Sequence, residues 1–167
     1  MIVFMNTLII LLAKYLYIVI VLAAIGITFY KTKADRRMEM IVIAIIAAAI
    51  TLILIWVSKH LFYSPRPFVV GHFKPLIPHA ADNGFPSDHT AISMGAAFVI
   101  YLFNKKAGII LATLALLVGI SRVLAGIHHP IDIFGSVIIA LVAVAAAHFI
   151  IKRYPKLLSC PMKKLGK

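Results

Sequence analysis

The sequence predicts an all-α fold: a polytopic membrane helix bundle with about five transmembrane helices, six being the alternative. Three observations carry this. The 167 residues are 63% hydrophobic and 13% charged, whereas soluble domains are about 45–50% apolar and about 25% charged. The mean hydropathy is +1.05. The apolar residues fall in five runs, roughly 5–30, 38–59, 88–104, 107–126 and 131–151, each near the ~20 residues that cross a hydrocarbon core at ~1.5 Å per residue.

The first run has no basic leader and no small-residue cleavage site, so it reads as a retained helix rather than a cleaved signal. It contains Lys14, which suggests that part of it lies in the interface. The basic segment "KTKADRRM" separates it from the second run, which ends at "WVSKH" before a polar stretch reaching residue 87. The third run opens at "PSDH", where Ser87 is a good N-cap and Asp88 suits a first helical turn. "NKK" divides the third run from the fourth. The fifth opens at "HHPID", with Pro130 at the first helical position. No internal repeat or soluble domain is visible, so residues 1–167 read as one integral-membrane domain with a basic tail, 152–167.

Lysine and arginine set the orientation. Lys31, Lys33, Arg36 and Arg37, then Lys105 and Lys106, then Lys152, Arg153, Lys156, Lys163, Lys164 and Lys167 all fall on one side of a five-helix chain. The positive-inside rule makes that side cytoplasmic and puts residues 60–87 and 127–130 outside. The net charge of +12 therefore reads as topology, and no nucleic-acid partner is expected. Cys160 stands alone and makes no internal disulfide.

Chemistry-bearing residues collect on the outer side. "KHLFYSPRP" holds Lys59 and Arg66, "PSDH" holds Ser87 and His89, and "SRVLAGIHHPID" holds Ser121, Arg122, His128 and Asp132. Ionisable groups near or within a bilayer are costly and usually functional. Lys59, Arg66 and Arg122, with two helix N-termini facing the same place, make a site for a multiply charged anion such as phosphate. His128 and Asp132 are four apart, one helical face if both are helical. A carboxylate on one ring nitrogen fixes the tautomer and leaves the other nitrogen as nucleophile. His89 suits a general acid.

These three stretches resemble the motifs K-x6-R-P, P-S-x-H and S-R-x5-H-x3-D of the type 2 phosphatidic acid phosphatase superfamily, across a core of residues 59–132. The resemblance implies a metal-independent lipid-phosphate phosphatase without cofactor. Lys59, Arg66 and Arg122, helped by Ser87 and Ser121, would bind phosphate. His128 would form a phosphohistidine oriented by Asp132, and His89 would be general acid and then base. There are two departures: Asp88 stands where the family commonly has glycine, and family members often have six helices.

"NGFPSDHT" is similar to the small bacterial undecaprenyl-diphosphatases, which implies a plasma-membrane enzyme of wall-carrier recycling with its site facing outside. His72, Lys74 and His79 are then candidate contacts to a second phosphate. Phosphatidylglycerophosphate or phosphatidate phosphatase is the alternative, and a non-catalytic lipid-phosphate flippase is the alternative of another class. "HFKPLIPH" lacks a zinc-ligand spacing, so no metal site is expected. Gly95, Ala96, Gly119 and Gly135 read as positions of close helix packing.

Overall fold

The computed structural model describes residues 2–158; Cys160, Lys163, Lys164 and Lys167 lie outside the described residues. The chain forms α1 (Ile2–Tyr30), α2 (Ala34–Leu61), α3 (Pro67–Val70), α4 (Asp88–Phe103), α5 (Lys105–Leu124) and α6 (Pro130–Arg153), followed by a 3-10 turn at Pro155–Leu158. Among the described residues the fold is all-α, with five long helices and one short one. Four of the long helices are apolar and long enough to span a bilayer. The fifth, α4, has 16 residues and rises only about 24 Å.

The short helix is the central one. α4 packs against α1, α2, α5 and α6, so protein rather than lipid covers most of its sides. Its buried face includes Ala91, Ser93 and Ala97, small enough for neighbouring backbones to come close. Helix α1 runs unbroken through the exposed Lys14 and does not turn inward there. Large apolar side chains such as Ile53, Trp56, Ile109, Leu116, Phe134 and Phe149 are exposed, as a surface solvated by hydrocarbon requires.

One end of the bundle is basic. The α1–α2 turn, the α4–α5 junction and the end of α6 meet there, and the Arg36 guanidinium lies 5.4 Å from the centre of the Phe103 ring. α4 and α5 are joined through Asn104, whose side chain accepts a hydrogen bond from the Ala107 amide at 3.1 Å and caps α5. The opposite end carries the long 62–87 connection, the short 125–129 connection and the residues of the three motifs.

The small residues divide into two uses. A Cβ on Gly119 or Gly135 would collide with Ile133 or Phe85, respectively, so close packing is their role. Gly95 has no neighbour within 4 Å of such an atom; instead of a helix contact it floors a groove, together with Ala96. That overturns the close-packing expectation for Gly95.

At the basic end, a Cβ on Gly108 would fall on the Cα and N of Tyr101, backbone atoms that cannot swing aside. Gly108→Ala is expected to force α4 and α5 apart and to destabilise the protein by about 1–3 kcal/mol. A lowered thermal unfolding midpoint in detergent checks this.

Candidate functional site

The site is organised around the His128 ring, buried at 3% exposure in the short connection before α6. Its Nδ1 lies 3.3 Å from Oδ2 of Asp132. That carboxylate is fully buried and also accepts the His129 amide at 2.8 Å. The expected helical i,i+4 arrangement is not what brings the pair together, because α6 starts at Pro130 and His128 precedes it. Asp132 instead turns back from the first helical turn toward the connection.

On its other side the ring meets two guanidiniums. Nη2 of Arg122 is 3.3 Å and Nη1 of Arg66 is 3.5 Å from Nε2 of His128. A guanidinium donates and cannot accept, so Nε2 presents its lone pair and Nδ1 carries the proton toward Asp132. Burial, joined by the charges of Arg122 and Arg66, holds this imidazole below its ordinary range despite the opposing hydrogen bond to Asp132. The ring is neutral, with its free lone pair facing concentrated positive charge.

Both arginines are buried, Arg66 at 5% and Arg122 at 4% exposure. Arg66 donates Nη1 to the Ile127 carbonyl at 2.8 Å and Nε to Asp82 at 2.7 Å. Burial disfavours the charge on Asp82, but the hydrogen bond and charge of Arg66 outweigh it and keep the carboxyl below the usual carboxylate range. Arg122, in the last turn of α5, donates Nη1 to the Ala13 carbonyl of α1 at 3.2 Å. Two like charges converging on one nitrogen make a receptor for an anion with several oxygens.

The stretch that begins α4 closes the site. Asn83 accepts the amides of Ser64 and Phe85, both at 3.0 Å, and donates to the carbonyls of Lys59 at 3.0 Å and Phe62 at 2.7 Å. Its amide thereby uses its full bonding capacity and ties the end of α2 to the loop. At Gly84, an added Cβ would stand 3.1 Å from Oδ2 of Asp132 and 3.2 Å from the Ser64 carbonyl, so the backbone must approach there without a side chain. Ser87 is the N-cap residue but makes no side-chain cap bond. Its hydroxyl accepts from Thr90 at 3.1 Å, while its carbonyl accepts from Ser136 of α6 at 3.0 Å.

Lys59 and His89 complete the outline. Nζ of Lys59 bonds Oδ2 of Asp88 at 2.8 Å. The His89 ring packs edge-on to Tyr17 of α1, with centroids 4.3 Å apart, and Arg122, Asp88 and His128 all act on it electrostatically. Ser121 is buried and donates to the Val118 carbonyl of its own helix at 2.7 Å. His79 lies 3.8 Å from Asp82; burial and then the charge of Arg66 lower its pKa. His72 and Lys74 are exposed, without hydrogen bond or ion pair among the described residues. Of the three candidate second-phosphate contacts, His79 therefore adjoins the site's network through Asp82.

Beside this polar cluster, an apolar groove of about 460 Å³ runs between α1, α2 and α4. Thr51, Ala91 and Ile92 line one end, within a turn of His89 on α4; Phe29 and Met40 line the other, near the basic end.

Two partners, Tyr17 and the Ala13 carbonyl of α1, carry no sequence signal that the motif reading used. Asn83 and Gly84 lie within the quoted "NGFPSDHT" but have no role of their own there beyond the turn that an Asn-Gly pair marks.

Comparison with known proteins follows the same outline. Residues 38–155 match the PAP2 superfamily. The chain is 34% identical over 154 residues to the bacitracin transport permease protein BcrC of Bacillus licheniformis, covering 92% of this chain and 73% of that protein. It is 33% identical over 144 residues to the undecaprenyl-diphosphatase BcrC of Bacillus subtilis, covering 70% of this chain and 75% of that protein. The crystal structure of Aquifex aeolicus LpxE aligns with a TM-score of 0.65 at 26% identity, over 87% of this chain and 83% of that one.

Asn83→Ala would strip two amides and two carbonyls of their partner at once. At about 0.5–1.5 kcal/mol per net bond, a loss of about 2–4 kcal/mol in stability is expected, read from thermal unfolding, together with weaker binding of inorganic phosphate. Asn83→Asp retains the two accepted bonds and should lose less.

Proposed function

Because the chain belongs to the PAP2 superfamily and is a membrane phosphatase, we propose that it hydrolyses undecaprenyl diphosphate to undecaprenyl phosphate and inorganic phosphate, through a phosphohistidine on His128. The observation that carries the mechanism is the Nε2 lone pair of His128, oriented by Asp132 and flanked by Arg66 and Arg122. The substrate assignment is supported by the relative named undecaprenyl-diphosphatase.

In the first step Nε2 of His128 attacks the terminal phosphorus, and the bond from phosphorus to the bridging oxygen breaks. Arg66, Arg122 and Lys59 hold the non-bridging oxygens as charge redistributes over them. Asp132 keeps the Nδ1 proton in place and stabilises the positive charge that the ring acquires. His89 gives a proton to the departing lipid phosphate. In the second step His89 takes a proton from water, the oxygen attacks phosphorus, and the P–N bond breaks. Inorganic phosphate leaves and the His128 lone pair is restored.

The groove between α1, α2 and α4 suits the first isoprene units of the lipid, since it is apolar and reaches Ala91 and Ile92, within a turn of His89. The remaining tail would stay in the bilayer. The basic residues at the opposite end support a site facing outside by the positive-inside rule. A transport reading has one observation in its favour, the likeness to a relative named a bacitracin transport permease protein. It leaves the buried His128–Asp132 pair and the placement of His89 without a role.

His128→Ala is expected to abolish phosphate release by the purified enzyme while lipid binding persists; unchanged release would sink the covalent mechanism. Wild-type enzyme quenched in acidless denaturant after reaction with substrate labelled in its terminal phosphate should retain label, and His128→Ala should not. EDTA should leave the rate intact. His89→Gln should cost about 10²–10⁴-fold, with a greater loss on an alkyl monophosphate, whose alkoxide leaves poorly, than on a diphosphate. Parallel assays with undecaprenyl diphosphate, farnesyl diphosphate, phosphatidylglycerophosphate and phosphatidate decide the substrate.

The groove has its own test. Ala96→Phe fills it and is expected to raise KM several-fold for both undecaprenyl diphosphate and farnesyl diphosphate, whose units nearest the phosphate are the same, while leaving inorganic phosphate binding unchanged; an unchanged KM for both would remove the tail from this groove.

A further inference from the structure

The phosphate site contains a carboxylate. Asp88 opens α4, and its Oδ2 accepts from Nζ of Lys59 at 2.8 Å. Its Oδ1 is buried and has no hydrogen-bond partner. The same charge acts on His89 and on Arg122. Three groups assigned to the reacting phosphate thus share one acidic neighbour. A carboxylate serving only the helix dipole would gain that benefit anywhere in the first turn, with both oxygens open to water and no need of Lys59.

The cations differ in how they are held. Arg66 and Arg122 are buried and fastened to the backbone carbonyls of Ile127 and Ala13. Lys59 is on a flexible four-carbon stem, and its ion pair is partly open to solvent, with side-chain exposures of 36% for Lys59 and 48% for Asp88. Such a pair is weak enough to be exchanged for a phosphate oxygen. A phosphate entering the site must take Lys59 from a carboxylate that also repels it.

We propose that Asp88 is a built-in competitor of the bound phosphate: it holds the Lys59 ammonium, yields it to the phosphoryl group during reaction, and reclaims it to expel inorganic phosphate. Tight binding of this product would only slow the next turnover, so weakening it favours the enzyme. Asp88 is on this account a positioning residue, acting through Lys59. The inference rests on the phosphatase reading of the same pocket, but not on which lipid is cleaved.

The test is a double-mutant cycle on the full-length protein in detergent, with inorganic phosphate as the probe and its dissociation constant read by calorimetry. Asp88→Asn should tighten phosphate about fivefold, the upper range for a partly exposed pair, and Asp88→Ser should do the same if the asparagine variant folds poorly. In a Lys59→Gln background most of the gain should be lost, leaving only the part due to the direct repulsion between Asp88 and phosphate. Equal tightening with and without Lys59 would overturn the proposal, since Asp88 would then act by its field alone. No change, or weaker binding in Asp88→Asn, would also overturn it, by making Asp88 a support for Lys59. A wild-type chain that bound no phosphate would defeat the phosphatase site as well, whereas normal wild-type binding with a failed cycle would leave that reading intact.

Discussion

The structure depends on keeping one imidazole lone pair exposed to two buried guanidiniums inside a bundle of apolar helices. Charged groups at such depth are expensive unless each is paired or hydrogen-bonded. Here each is. Asp132 takes the His129 amide and faces His128; Arg66 is tied to Ile127 and Asp82; Arg122 is tied to Ala13. The hydrogen bonds that these groups make are the ones that aim them, although Nε of Arg122 and Oδ1 of Asp132 stay buried without a partner.

That requirement explains the uneven lengths of the helices. α4 is short because it begins at the level of the site rather than at the end of the bundle, and it is tolerable because four helices surround it. The loop from 62 to 87 then folds over the same end, where Asn83 joins it to α2 and Gly84 lets its backbone rest against Asp132. Helix α1 has few contacts with α2 but reaches α4 and α5, contributing Tyr17 and the Ala13 carbonyl to the polar end and one wall to the groove below it.

Much of this was legible in the residues. Five apolar runs foretold five long helices, and the motif positions Arg66, Arg122 and Asp132 all meet the His128 ring. What escaped the reading has a physical pattern. A backbone carbonyl, such as that of Ala13, carries no letter of its own. Ser87 occupies the N-cap as its type suggested, yet its hydroxyl accepts from the Thr90 hydroxyl, one turn on in the same helix, rather than from a backbone amide. Gly95 looked like a packing residue because composition cannot tell a tight crossing from an open groove. The His128–Asp132 spacing suggested a shared helical face, whereas the contact is made across a helix start. The sequence left the role of Asp88 open; its bond to Lys59 appears only in three dimensions.

Burial also divides the labour among the cations. A catalyst gains most from charges that need no reorganisation when the transition state forms, and Arg66 and Arg122, enclosed and anchored, meet that condition. Fixed charge of this kind would hold the product phosphate as firmly as it helps to make it, because the same oxygens remain. On the proposed reaction, a mobile third cation with an alternative partner would relieve that conflict: Lys59 would contribute while phosphorus is transferred and be withdrawn afterwards. Rigidity in two cations and exchange in the third would then be complementary, and the rise in exposure from Arg122 to Lys59 is what supports that division.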